Sequence, residues 1–149
     1  MRKRDGNEPL PDNGVFMTLR VRYAETDQMQ RAYYGRYFEW FEAARSEFCR
    51  ARGIRYQDLE DQGFFLPILE AYCRYKGAAR YDEEVTIYVY VMEISKRTLR
   101  MGYRLTAGER DVAEGETYQM LIDRDGKPRS FPPEIYDRFK GTILNTSLS

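Results

Sequence analysis

The apolar residues of this chain change their period along its length, and that change limits the fold more than any other feature. Over residues 35–52 they follow a helix. Tyr37, Phe41, Ala44 and Phe48 fall on one stripe, which Trp40 widens. Glu42 with Arg45, and Glu47 with Arg50, are i,i+3 pairs on the polar side. Gly53 then offers a left-handed cap, and Ile54 is placed to pack back on the last turn. Beyond that glycine the period falls to two. Segments 66–75, 84–94, 98–106 and 112–123 read as strands. In 84–94 both faces are apolar enough for a central strand packed on two sides.

A further strand is expected at 15–23, where Leu19, Val21 and Tyr23 alternate with Arg20 and Arg22. Ser95-Lys96-Arg97 and the segment 107–110 are hairpin-length connections. Pro132-Pro133 ends the last extended run, and a short helix is expected at 133–139. One long helix followed by antiparallel strands gives an α+β domain, a curved sheet wrapped around that helix. The expected organisation is a mobile arm at 1–14, a single domain at 15–140 and a frayed tail at 141–149.

Composition removes several chemistries. The chain has 149 residues and no histidine, so a Ser-His-Asp triad, a Cys-His pair and histidine-ligated metals are all excluded. Cys49 and Cys73 are too few and too far apart for a zinc site or a disulfide framework, and are expected in the core or at an interface. The formal net charge is +0, so no global field draws the chain to nucleic acid or membrane. No apolar stretch is long enough to span a bilayer and no signal peptide is evident, so the expected location is cytoplasmic.

Acid–base or nucleophilic work therefore falls to carboxylates, tyrosines, lysines or water. Asp27 stands out, because it lies in the loop that runs from the first strand into the long helix. Free N–H groups at a helix start polarise a carbonyl, and a nearby carboxylate attacks it or activates water. A loop aspartate also serves as a cap or turn residue. Glu39 and Glu42 fit the wet face of the helix, and Glu70 fits a solvent-facing strand position.

Tyr23-x-Glu25-Thr26-Asp27-x-Met29, Tyr33-Tyr34-Gly35-x-Tyr37-Phe38 and Phe41-Glu42-x-Ala44-Arg45 together resemble the signature of the 4-hydroxybenzoyl-CoA thioesterase family, in particular its Tol-Pal-associated acyl-CoA thioesterase group. Residues 77–82 resemble the family's turn before its long strands. Ser95-Lys96-Arg97-Thr98 resembles its CoA-contacting turn. The resemblance implies a hotdog fold, acyl-CoA hydrolysis, and active sites at the interface of a homodimer that pairs again into a tetramer. It implies that Asp27 is the catalytic carboxylate. The N–H groups of Tyr34 and Gly35 would hold the oxyanion. Tyr33, Tyr37, Ser95, Lys96, Arg97, Thr98 and Arg129 would contact the substrate, and Arg100 and Lys127 are further candidates for its phosphates. No cofactor is implied, since CoA is part of the substrate. Arg36 replaces a common asparagine, and Ala78 a common proline. Two other functions are compatible with the same residues: an acyl-carrier-protein thioesterase, and a non-catalytic acyl-CoA-binding protein.

Overall fold

In a computed structural model of the chain, residues 9–141 are described. Their elements are β1 (Val15–Arg20), α1 (Arg36–Ala51), α2 (Tyr56–Asp61), β2 (Ile68–Tyr75), β3 (Glu84–Ile94), β4 (Thr98–Ala107), β5 (Arg110–Met120) and α3 (Pro133–Lys140), with a 3-10 turn at Tyr23–Glu25. The strands form one antiparallel sheet in the order β1-β3-β4-β5-β2. It curves around α1, the α+β hotdog arrangement expected from the sequence.

Strand alternation sends two rows of side chains to opposite faces. Val85, Ile87 and Val89 of β3 and Leu99, Met101, Tyr103 and Leu105 of β4 are fully buried beneath α1. Phe41 stacks on Tyr103 with ring centroids 4.3 Å apart. That stacking needs a residue without a side chain on β5, because a Cβ at Gly115 would come within 2.4 Å of the Phe41 ring. On the far face, Tyr90 lies across Gly102.

The end of α1 follows the expected cap. Gly53 takes a φ of 70°, and its N–H donates to Arg50 while that of Ile54 reaches back to Cys49. Arg138 of α3 donates to the Arg52 carbonyl over 2.9 Å and closes the same helix end. Phe139 of α3 is buried with its ring parallel to that of Phe48.

Some boundaries differ from the sequence expectation. The first strand stops at Arg20. The 3-10 turn then rotates Tyr23 outward, so it is 76% exposed instead of facing the core. α2 was not expected, and only Leu59 of its six residues is buried. The last strand starts at Arg110 and ends at Met120. Of the expected arm, 1–8 lies outside the described residues. Pro11, Asn13 and Gly14 are hydrogen-bonded to Tyr88 and Val91 of β3. Of the expected tail, 142–149 likewise lies outside the described residues. Among the described residues no helix is long and apolar enough to cross a membrane.

Candidate active site

Residues 26–32 fold into a small hairpin with Asp27 at its turn. Thr26 bridges Ala32, the Asp27 N–H donates to the Arg31 carbonyl over 2.9 Å, and the Gln30 N–H returns to the Asp27 carbonyl over 3.0 Å. Asp27 Oδ1 accepts the Met29 N–H over 2.8 Å, an Asx turn. That bond uses one of about four acceptor positions on the carboxylate. The side chain is exposed, and among the described residues it has no ion-pair partner.

Glu25 ties this hairpin to the helix. It is 5% exposed, and it accepts the Trp40 indole N–H and the Arg22 backbone N–H, each over 2.9 Å. Burial works against its charge, but those two donors and the Arg22 guanidinium outweigh it and hold the carboxyl below its usual range. The Tyr33 N–H donates to the Glu25 carbonyl over 2.8 Å, so the chain runs from the hairpin directly into α1.

α1 begins without a side-chain cap. Among the described residues, the N–H groups of Tyr34 and Gly35 have no acceptor, whereas that of Arg36 donates to Tyr33. Two unused donors therefore lie at the positive end of the helix dipole. Around them gather four tyrosines. Tyr33 and Tyr34 are exposed, with ring centroids 4.5 Å apart. Tyr37 is buried against Trp40 and Tyr75. The Tyr75 hydroxyl donates to the Tyr34 carbonyl over 2.7 Å. Burial, then the neighbouring Cys73, Tyr37 and Tyr34, push the Tyr75 phenol well above its usual range, so it keeps its proton.

The second predicted group lies elsewhere. Ser95 and Thr98 close the β3–β4 turn through their hydroxyls, and Lys96 and Arg97 project from it, exposed and unpaired by any carboxylate among the described residues. The segment that carries Arg129 joins them, since the Phe131 N–H donates to the Lys96 carbonyl and the Leu121 N–H to the Arg97 carbonyl. Arg129 itself is engaged by Asp123 at 2.7 Å. Arg100 stacks over Tyr118, on the far face of the sheet.

These two groups occupy opposite ends of the sheet. The Asp27 hairpin adjoins the start of β3, through Arg31–Arg80 and Val21–Glu83 contacts. The Ser95–Thr98 turn follows the end of β3. At about 3.3 Å per residue the intervening strand spans roughly 35 Å.

Glu39 pairs with Arg36 at 3.0 Å on the surface, and Glu70 is exposed. Glu42, expected on the wet face, borders a cleft between α1 and segment 66–68. Sequence reasoning gave no role to Glu25 or Tyr75. For Glu25 a signal was available: the sole tryptophan sits on the apolar stripe, and a buried indole N–H needs an acceptor.

A model of the thioesterase-like superfamily matches residues 21–139. The acyl-CoA thioesterase YbgC of Haemophilus influenzae is 28% identical over 130 residues, covering 86% of this chain and 96% of that protein. The solved DHNA-CoA thioesterase of Staphylococcus aureus is 28% identical with a TM-score of 0.81, covering 87% of this chain and 90% of that one. A solved 4-hydroxybenzoyl-CoA thioesterase in complex with 4-hydroxybenzoyl-CoA, 17% identical, shares the fold with a TM-score of 0.77 over 85% of this chain and 99% of that one.

Proposed function

The chain belongs to the thioesterase-like superfamily, and from that premise we propose that it hydrolyses an acyl-CoA thioester to a free acid and CoA. The observation that carries the proposal is the pair of unused N–H groups at Tyr34 and Gly35, reached from the Asp27 hairpin within one short loop. The thioester carbonyl oxygen takes these donors. Negative charge grows on that oxygen as the carbonyl carbon is attacked, so the donors favour the transition state over the ground state. Asp27 either attacks the carbon itself or takes a proton from an attacking water. The C–S bond breaks and CoA leaves as the thiolate; where Asp27 was the nucleophile, water then hydrolyses the acyl–aspartyl anhydride to the free acid. No step requires a metal or a redox cofactor. The names of the Haemophilus and Staphylococcus relatives support an acyl-CoA substrate.

One substrate molecule at Asp27 is not served by Lys96 and Arg97 of the same chain, which lie roughly 35 Å away. A second copy resolves this. Among the described residues the outer edge of β2 is unpaired, with Ile68, Leu69 and Tyr75 exposed along it, and an open apolar edge of this kind favours pairing with another strand. Two β2 strands joined antiparallel about a two-fold axis bring the Tyr75 end of one to the Ile68 end of the other. Asp27 of one chain then faces the basic turn of its partner, where guanidinium and ammonium groups suit the CoA phosphates. The assembly is a homodimer at least, with a dimer of dimers as the full form.

The test is release of free thiol from short, long, branched and aromatic acyl-CoAs without added metal. Turnover of at least one ester, unchanged by EDTA, is expected. Binding without turnover across the whole panel would replace the hydrolase by an acyl-CoA-binding protein.

A further inference from the structure

β2 lies at one edge of the sheet and β3 lies three strands away, so the connection 76–83 must cross the end of the sheet. It meets the Asp27 hairpin there, through the Arg31–Arg80 bridge. One residue of this connection holds both halves of the site. Ala79 is fully buried, and its carbonyl accepts the Ala32 N–H over 2.7 Å, where the hairpin closes. Its N–H is a donor to the Tyr37 hydroxyl in the first turn of α1, and there opposes the burial that pushes this phenol up.

The two peptide units that flank Ala79 are gripped by one ion pair. Arg110, the first residue of β5, donates to the Ala78 carbonyl over 2.8 Å. Glu83 accepts the Arg80 N–H over 2.7 Å. Arg110 also donates to both carboxylate oxygens of Glu83, over 2.8 and 3.0 Å. That guanidinium is the main reason the Glu83 carboxyl sits below its usual range. With Arg110 47% exposed and Glu83 27% exposed, solvent screening leaves such a pair little weight in overall stability. Its expected effect is on geometry.

The direction of the pair is what matters. The Ala78 carbonyl shares a peptide unit with the Ala79 N–H, and the Ala79 carbonyl shares one with the Arg80 N–H. A cation on the first oxygen sharpens the donor that Tyr37 takes. A carboxylate on the second N–H sharpens the acceptor that Ala32 takes. Both act in the cooperative sense, and charged partners make the stronger hydrogen bonds. With the charges exchanged, a carboxylate would face the Ala78 carbonyl and a guanidinium the Arg80 N–H, and both bonds would be lost.

We propose that Glu83 and Arg110 are positioning residues for hydrolysis, which hold Asp27 in register with the N–H donors of Tyr34 and Gly35 through Ala79. The proposal rests on the thioesterase reading and adds the groups that fix its geometry. It is tested on the whole protein with Arg110→Met, Glu83→Met, Glu83→Gln and the charge swap Glu83→Arg with Arg110→Glu, each checked for folding by circular dichroism. The readouts are steady-state thiol release and hydrogen exchange of segment 26–33 by mass spectrometry. Arg110→Met and Glu83→Met should each lower kcat about tenfold at little-changed KM, a loss within what about 1 Å of misplacement brings. Segment 26–33 should exchange about tenfold faster in both, while β3 and β4 keep their protection. Glu83→Gln retains an oxygen for the Arg80 N–H and should regain most of the activity. The charge swap should not, although its charges are complementary, and a plain ion pair would not show that contrast. Unchanged kcat in both Met variants overturns the proposal, as does full recovery in the charge swap. A wild type that turns over no ester, with segment 26–33 still loosened in the Met variants, removes the hydrolase and keeps the link through Ala79. Wild-type turnover that none of the substitutions alters does the reverse.

Discussion

Tyr75 and Tyr34 are joined by a 2.7 Å hydrogen bond from the phenol of one to the backbone carbonyl of the other. The carbonyl belongs to the same peptide unit as the Gly35 N–H. A donor on the oxygen of a peptide polarises its N–H, and hydrogen bonds in such a chain reinforce one another. Strand β2 thus reaches over the helix start and sharpens the donor proposed for the oxyanion. Tyr75→Phe keeps the ring contacts with Tyr34 and Tyr37 and removes this bond alone. The expected result is a fall in kcat of about threefold to tenfold with KM little changed, a fraction of the 10²–10³ lost with a whole donor. An unchanged kcat would show that the bond only positions the loop.

Side chain and backbone are separated by a second pair of substitutions. Asp27→Asn preserves the acceptor for the Met29 N–H, so the hairpin should persist. It removes the nucleophile or base, and turnover should drop by about 10²-fold or more. Tyr34→Phe removes a hydroxyl whose role the backbone account does not need, and should cost less than about tenfold. Steady-state kinetics on both decide the matter. Equal losses would make the Tyr34 hydroxyl a catalytic acid in a chain that has no histidine.

How much of this was legible in the sequence follows from the range of each signal. α1 and β3 announce themselves because their apolar residues repeat over many positions. α2 does not, because its one buried residue, Leu59, sets no period. Asp27 and the helix start are close in sequence, so their association was readable. The separation of Asp27 from Lys96 was not, because it depends on the strand order β1-β3-β4-β5-β2, and neighbours in a sheet leave no mark on local composition. Gln119 is silent for a related reason. An amide among Tyr118, Met120 and Leu121 reads as one polar step of a strand, and only the fold shows that its oxygen has no donor among the described residues.

Sharing of the site between chains leads to a complementation experiment. Asp27→Asn disables one half of each site, and Lys96→Ala with Arg97→Ala weakens the other half. The two variants, co-expressed with different tags, form mixed dimers in which one site has neither defect. With random pairing about a quarter of all sites are intact. Activity at low acyl-CoA concentration should therefore rise to about a quarter of wild type, although each variant alone is poor. Light scattering on the same samples should exclude the 17.7 kDa monomer. A monomer, or a mixture no better than its components, removes the shared site.

Glu25 gives the last prediction, through acid. Its carboxyl is held below the ordinary 4.5, because the Arg22 N–H, the Trp40 indole N–H and the Arg22 charge together outweigh the burial that opposes ionisation. A carboxyl with a lowered folded-state value binds its proton more weakly in the fold than in the unfolded chain. The stability it contributes is present above pH 4.5 and is lost as pH falls through the lower folded-state value. Glu25→Gln removes that titration, and also weakens the charge-assisted bonds to Trp40 and Arg22. At pH 7 the variant should lose about 1–2 kcal/mol, a fall in Tm of several degrees. Between pH 5 and pH 3 its Tm should decline less steeply than that of the wild type, so the two melting curves converge. Because Glu25 connects the Asp27 hairpin to Trp40, kcat should fall at pH 7 even where the protein remains folded. Parallel Tm profiles across that pH range would show that Glu25 is not the group whose protonation loosens the site.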